Sequence, residues 1–264
     1  MTVLVTGAAS GIGRASAAAL LGAGHAVIGL DLFMPQSPAD GNFRAFAADI
    51  TSEDALAHVR DTLAGEGVLL DAIVCVAGVH AMVALTESDF SAIRRPIDVN
   101  LLGTMLSCRI LHSLLAPRGR IVIITSEVAA MPPLPFNGVY TVSKTALDAY
   151  AQALRQELSL LSQRVITVRP GAIETPLCEG SLSATATLAA QTTLYKKEAA
   201  RFLTVTKRFM GRPKPPEAIA ATILRAVTAK HPRLTYKKYR NPGLVLLSLL
   251  PLSWQCAIVR RLLR

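Results

Sequence analysis

Tyr140 and Lys144 stand four residues apart at the start of a strongly helical run, Tyr140-Thr141-Val142-Ser143-Lys144, so both side chains leave one face of a helix. A phenol titrates near 10 and is a poor proton donor or acceptor at neutral pH. An ammonium beside it stabilises the phenolate and lowers that value, which makes the pair a candidate general acid/base. On periodicity alone the pair also fits a solvated helix face. A second group sits near the N-terminus: Thr6-Gly7-Ala8-Ala9-Ser10-Gly11-Ile12-Gly13 follows a β-rich run and precedes an alanine-rich helix. Glycines there let the backbone turn tightly and approach a pyrophosphate, which rests on the positive end of the following helix. Methyltransferases and flavoproteins carry similar turns. Asp31 supplies context, because it ends the next β-rich run about twenty residues on, where a carboxylate binds a ribose diol. The other reading of Asp31 is a solvated charge at a strand end.

Positioning these groups requires a scaffold that brings distant segments together. The β-rich runs at 2–6, 26–30, 43–48, 72–76, 120–125 and 165–169 alternate with helical patterns at 13–23, 54–64, 97–115 and 141–161. Such alternation predicts a parallel sheet covered on both faces by helices. The chain has 264 residues, 51% hydrophobic and 17% charged, which excludes disorder and favours one large domain over two small ones. After Arg169 the alternation gives way to a Pro/Gly turn, a Ser/Thr/Ala-rich stretch at 180–193 and a basic stretch. This region is expected to be a mobile segment over the site rather than another β-α unit.

The TGxxxGxG spacing resembles the glycine motif of the short-chain dehydrogenase/reductase family, and the resemblance runs over residues 2–177. Asp49-Ile50 matches the family's adenine-contacting pair. The family's Asn-Asn-Ala-Gly turn stands here as Cys75-Val76-Ala77-Gly78, so both amides are absent and the turn must be held in another way. YxxxK, with a serine before it and Pro170-Gly171 after it, matches the active-site signature. Ser126 lies 14 residues before Tyr140 where 13 is common in the family, and the loop 131–136 can absorb the extra residue.

The resemblance implies a doubly wound parallel sheet, the three-layer α/β/α Rossmann fold, as a single domain. It assigns catalysis to Asn100, Ser126, Tyr140 and Lys144. Tyr140 is the acid/base, Lys144 lowers its pKa and holds the nicotinamide ribose, Ser126 binds the substrate oxygen, and Asn100 supports a water-linked proton relay. Cofactor contacts are expected from Gly7, Ala9, Ser10, Gly11, Ile12, Gly13, Asp31, Asp49, Ile50, Ala77, Gly78, Pro170, Gly171, Ile173 and Thr175, together with Tyr140 and Lys144. NAD is the expected cofactor. A 2'-phosphate would meet the Asp31 carboxylate at a cost on the order of several kcal/mol, and neither Ser10 nor Leu32 offers the cation that would offset it. The implied activity is hydride transfer between nicotinamide and an alcohol or ketone. The segment from Ser126 to Leu158 looks most like the branch of retinol and hydroxysteroid dehydrogenases, hence a lipophilic substrate such as a steroid, retinoid or fatty alcohol. The alternative is a non-catalytic, NAD-sensing relative. Pocket walls are expected from 80–85, 131–137 and 177–210. A homodimer or homotetramer is expected through the helices at 100–115 and 141–161.

The formal charge of +10 is unevenly spread: residues 1–195 hold 12 Lys/Arg and 16 Asp/Glu, and residues 196–264 hold 16 and 2. The sequence divides into a dehydrogenase domain at 1–240, with a substrate-loop segment at 177–212, and an apolar, basic tail at 241–264. The run 243–259 is shorter than a spanning helix and is interrupted by Pro251. Trp254, Ile258 and Leu262 fall on one helical face, flanked by Lys237, Lys238, Arg240, Arg260, Arg261 and Arg264. Two readings remain open: peripheral contact of 237–264 with an anionic membrane, or a cover over the pocket or an oligomer interface. No nucleic-acid reader motif is present. Cys75, Cys108, Cys178 and Cys256 form no CxxC or Cys/His group, so neither zinc nor a disulfide framework is expected. With the N-terminus reading as a strand rather than a signal peptide, the protein is expected in the cytoplasm, with a peripheral place at the inner face of a membrane as the location the tail would add.

Overall fold

Four of the five residues in TVLVT are β-branched, and they form β1 (Thr2–Thr6), buried from Val3 onward. The computed structural model describes residues 1–33, 41–209 and 213–264. After β1 come α1 (Gly11–Gly22), β2 (Ala26–Asp31), β3 (Phe43–Ala47), α2 (Glu53–Gly65) and β4 (Leu70–Cys75). The middle of the chain forms α3 (Phe90–Ile97), a π-helical turn (Asp98–Gly103), α4 (Thr104–Leu111), β5 (Leu115–Ile124), α5 (Gly138–Ser159) and β6 (Arg164–Pro170). The remainder forms α6 (Pro176–Gln191), α7 (Lys196–Phe209), α8 (Glu217–Thr228), β7 (Thr235–Lys238), α9 (Pro242–Ser248) and α10 (Leu252–Leu263).

The strands make one parallel sheet in the order β3-β2-β1-β4-β5-β6-β7. Side chains alternate across it. Leu4, Ile73 and Ile121 pack with Leu56, Leu111 and Leu147 from α2, α4 and α5, whereas Val5, Val74 and Val122 pack with Leu20 and Ile223 from α1 and α8. The result is the expected doubly wound, three-layer α/β/α domain. Strand order reverses between β1 and β4, and a crevice therefore opens beyond their carboxyl ends. Cys75 and Cys108 meet in the core as free thiols, 3.9 Å apart.

One expectation about the C-terminal third, that no further helix-strand unit follows β6, is corrected. Residues 176–191 are helix α6, capped by the Thr175 hydroxyl, which accepts from the Cys178 amide at 3.2 Å. Its inward face carries Ser181, Thr185 and Leu188, and the Thr185 hydroxyl donates to the Ser181 carbonyl at 2.8 Å. The helix thus lacks the apolar stripe that periodicity detects. A further helix-strand unit also follows β6, because α8 leads into β7, an edge strand reading Thr-Tyr-Lys-Lys with only Tyr236 buried. Of the segment expected at 177–212, residues 210–212 lie outside those described, as does the end of the pocket wall expected at 177–210. The tail forms two short helices separated by Pro251, and among the described residues no helix is long and apolar enough to cross a membrane.

Candidate functional site

The glycine turn after β1 is shaped by contacts that no side chain could share. Gly7 has φ of 72°, and a Cβ on Gly13 would lie 1.9 Å from the Gly7 carbonyl oxygen. The start of α1 therefore sits directly under the turn. Neither a side-chain cap nor an acidic residue occupies that first turn, so its amides and positive end face the crevice, as a pyrophosphate requires. Asp31 is tied into this loop: its Oδ2 accepts from the Ala9 amide at 2.9 Å. The Asp31 carboxylate thus stands beside the turn rather than simply in solvent. Ala9 is not among the residues that line the crevice, and its amide is engaged by Asp31. Asp49 accepts from the Thr51 amide and hydroxyl at 2.8 and 2.7 Å, and Ile50 packs on Gly103 of the π-helical turn.

The turn after β4 lacks the two asparagines of the family pattern, and the structure shows what replaces them. The Thr6 hydroxyl accepts from the Val76 and Ala77 amides at 3.1 and 3.2 Å. Asn100, fully buried, accepts from the Val79 amide at 2.7 Å and donates to the Val79 carbonyl and the Ser143 hydroxyl at 2.9 and 3.0 Å. Asn100 therefore fixes the loop behind Gly78 and ties it to α5. Its own position depends on the π-helical turn, a local helix irregularity often found at functional sites. A Cβ on Gly78 would lie 3.0 Å from Asn100 Oδ1 and 3.5 Å from Lys144 Nζ, so that glycine lets the loop pass close to both groups.

Helix α5 brings Tyr140 and Lys144 to the same crevice. Val139, Ser143, Leu147 and Ala151 form its buried row, and the adjacent row is Tyr140, Lys144, Asp148 at four-residue intervals. Asp148 anchors that row: both its oxygens accept from Arg169, at 2.8 and 2.5 Å, and Oδ1 also accepts from the Thr125 hydroxyl. Lys144 is buried, with Nζ donating to the Ile124 carbonyl at 3.1 Å. Desolvation pushes it down to about 8. Burial pushes Tyr140 up to about 12, against a smaller downward pull from its hydrogen bond with Ser126. Ser126 ends the run after β5 and is 8% exposed. The His80 ring packs on Tyr140 with centroids 4.3 Å apart. Burial holds His80 at about 4, against a weaker pull from Asn137, so the ring is neutral at physiological pH. His80 Nδ1 and Asn137 Oδ1 are buried without a hydrogen-bond partner of normal geometry among the described residues.

The glycine turn, the loops after β4 and β5, and Tyr140 and Lys144 of α5 line one cavity of about 1060 Å³. Gly7, Ser10, Gly11, Ile12, Gly13, Asp31, Asp49, Ile50 and Ala77 line it together with Ser126, Tyr140 and Lys144, and Gly78 passes close to Lys144. Pro170, Gly171, Ile173 and Thr175 line it as well, and a Cβ on Gly11 would touch Thr175. Of the expected site residues, only Ala9 and Asn100 stand behind the wall. From the expected pocket segments, His80, Met82, Leu134, Asn137, Leu177 and Phe202 reach the cavity.

The C-terminal segment forms much of the roof, a role that sequence reasoning held only as one of two readings. Gly171 donates to the Lys238 carbonyl at 2.8 Å, and the buried Glu127 carboxylate accepts from the Asn241 amide at 2.6 Å. Leu244 and Leu247 of α9 and Ile258, Val259, Leu262 and Leu263 of α10 complete the wall. Thr6, His80, Glu127, Asn137 and Asp148 were not singled out as site residues. The continuation of the Tyr140, Lys144 spacing to Asp148 was a signal available in the sequence, whereas the others depend on loop paths.

Residues 1–185 match a protein-family model described as short chain dehydrogenase. The chain is 31% identical over 185 residues to a 1-hydroxy-2-glutathionyl-2-methyl-3-butene dehydrogenase of Rhodococcus sp. (strain AD45), covering 67% of this chain and 79% of that one. It is 25% identical over 234 residues to a 3-ketodihydrosphingosine reductase of Bacteroides thetaiotaomicron, covering 87% and 84%. Among solved structures it is similar to a short chain dehydrogenase from Mycobacterium paratuberculosis bound to NAD, with a TM-score of 0.72, 27% identity, and coverage of 90% and 94%.

Proposed function

Because the chain belongs to the short-chain dehydrogenase family, we propose that it is an NAD-dependent oxidoreductase for the secondary alcohol or ketone of a lipophilic substrate. The substrate class is a steroid, retinoid or fatty alcohol. The observation that carries this reading is the single cavity that holds the glycine cradle and Asp31 together with Ser126, Tyr140 and Lys144, under an apolar roof. The cradle fits a dinucleotide: the turn admits no Cβ at Gly13, the amide end of α1 faces the crevice, and Asp31 is held where a ribose diol would bind. When bound, NAD supplies the hydride acceptor or donor at its nicotinamide ring.

The remaining steps belong to this chain's own residues. Ser126 donates a hydrogen bond to the substrate oxygen and steadies alkoxide character there. Tyr140 moves the hydroxyl proton. With its pKa at about 12, Tyr140 is protonated at neutral pH and serves as the proton donor in ketone reduction as it stands. In alcohol oxidation it must first lose that proton, and the Lys144 cation on the same face of α5 favours the phenolate. Lys144 also reaches the ribose side of the cavity, and Asn100 holds the Gly78 loop against it and supports a water-linked relay. His80 and Asn137 are polar side chains in the cavity wall, with the His80 ring packed on Tyr140. With Ser126, Tyr140 and Lys144 all lining one cavity, no feature favours the non-catalytic alternative.

Several named relatives lend support. The mycobacterial structure is bound to NAD, one relative is a 2,5-dichloro-2,5-cyclohexadiene-1,4-diol dehydrogenase, and another is named a reductase of 3-ketodihydrosphingosine. The reading includes a homodimer or homotetramer and contact of residues 237–264 with a membrane surface. The test is NADH formation by the full chain over a panel of steroids, retinol, sugars and short alcohols, repeated with NADP. Turnover is expected with NAD and an apolar alcohol. Turnover confined to sugars, or equal with NADP, would contradict the substrate class or the cofactor preference respectively.

A further inference from the structure

We infer that the corner between α9 and α10 is a docking surface for an anionic lipid leaflet, placed so that the substrate cavity opens into the bilayer. Leu246, Leu249, Leu252 and Trp254 cluster on either side of Pro251 and are 65%, 76%, 67% and 63% exposed. None of the four lines the cavity. A soluble surface has no use for such a group, whereas an interfacial helix pair places leucines in the acyl boundary and a tryptophan at the headgroups. The surrounding charge selects the partner. From residue 218 to the C-terminus there are nine Lys/Arg and no Asp/Glu. Lys237 in β7 and Arg260, Arg261 and Arg264 at the C-terminal end of α10 are exposed. A second copy docked through this face would bring two such cationic surfaces together without a compensating carboxylate, and electrostatics therefore disfavour self-association here. An anionic leaflet has the opposite sign and attracts each cation close to it.

The same two helices also border the cavity. Ile258 and Leu262 both line it and remain exposed, by 37% and 49%, so the cavity reaches the surface beside the apolar corner. A lipid-dissolved substrate could then pass from the leaflet to Tyr140 without crossing water. The docking deepens the membrane-contact part of the proposed function, naming the surface and the lipid charge, and the delivery role rests on the lipophilic-substrate reading.

The test is flotation of the full chain with phosphatidylcholine vesicles prepared with and without phosphatidylserine, in the absence of substrate. The expected result is binding that requires phosphatidylserine and weakens with added salt. Leu249→Asp with Trp254→Asp, and separately Arg260→Glu with Arg261→Glu, should each lower partition by at least about tenfold. Circular dichroism and NAD binding of both variants should stay unchanged. Absence of wild-type binding, or equal binding by wild type and both variants, would overturn the docking surface. So would variants that shift the sedimenting species while leaving vesicle partition intact, which would make the corner an interface between copies. Vesicle binding without turnover on any apolar alcohol would retain the docking and remove the delivery role.

Discussion

Asp31 does two things with one carboxylate. It holds the glycine turn through the Ala9 amide, and it sets a negative charge where a 2'-phosphate would stand. Replacing it in Asp31→Ala with Leu32→Arg is expected to raise the KM for NAD and lower that for NADP, shifting the kcat/KM ratio toward NADP by at least about tenfold. Unchanged preference in steady-state kinetics would remove Asp31 as the selector. Lys144 offers a second test. It is held at about 8, below its ordinary 10.5, so between those limits the unfolded chain keeps a proton that the folded chain has released. Stability contributed by Lys144 is therefore gained as pH rises through that window and lost as pH falls through about 8, on the order of 3 kcal/mol. Tyr140, raised to about 12, acts oppositely: its contribution is present below 10 and fades as pH climbs toward 12. Urea denaturation between pH about 8 and 10 should show the rise in the wild type and a flat profile in Lys144→Met; an equal rise in both would refute the assignment. At this scale much of the site was legible, because the glycines, Asp31, Tyr140 and Lys144 act through local spacing and intrinsic chemistry. The hydrogen bond from the Ala9 amide to Asp31 was not legible, because an amide's direction is not written in the residue type. The same holds for His80 and Asn137, which meet Tyr140 through loop paths.

Strands β1 to β6 and the helices α1, α2 and α5 follow from β-branched or aromatic runs and apolar periods, which encode burial directly. The C-terminal helices do not follow so easily. Helix α6 turns Ser181 and Thr185 inward, and β7 is an edge strand with two lysines, so neither shows the pattern its burial would suggest. Helix α5 depends on a link that spans elements: Asp148 grips Arg169 of β6 with two hydrogen bonds, and both side chains are largely buried. Removing one partner strands the other charge. Asp148→Ala should therefore lower stability by about 3–5 kcal/mol in urea denaturation. Because Tyr140 and Lys144 share its row, kcat should fall more than KM rises. A loss below about 1 kcal/mol would mean that the pair does not lock the helix.

For the whole molecule, a total charge of +10 hid an acidic body and a basic tail, and the structure places that tail over the cavity rather than apart from it. A tail of this kind could be read from the sequence, but its path along Gly171 and Glu127 could not, since it depends on backbone contacts made across the fold. Leu102, Met105 and Val142 remain exposed on the π-helical turn, α4 and α5. The proposed dimer would cover them, and sedimentation of Met105→Asp with Leu102→Asp should shift the chain from dimer to monomer; an unchanged dimer would place the interface elsewhere. All parts converge on Tyr140 as the group that moves the substrate proton. The most direct measurement compares Tyr140→Phe with the wild type for NADH formation and, by fluorescence titration, for NADH binding. The expected result is turnover lowered by at least about a hundredfold with binding nearly unchanged. Near-normal turnover in Tyr140→Phe would contradict the assignment.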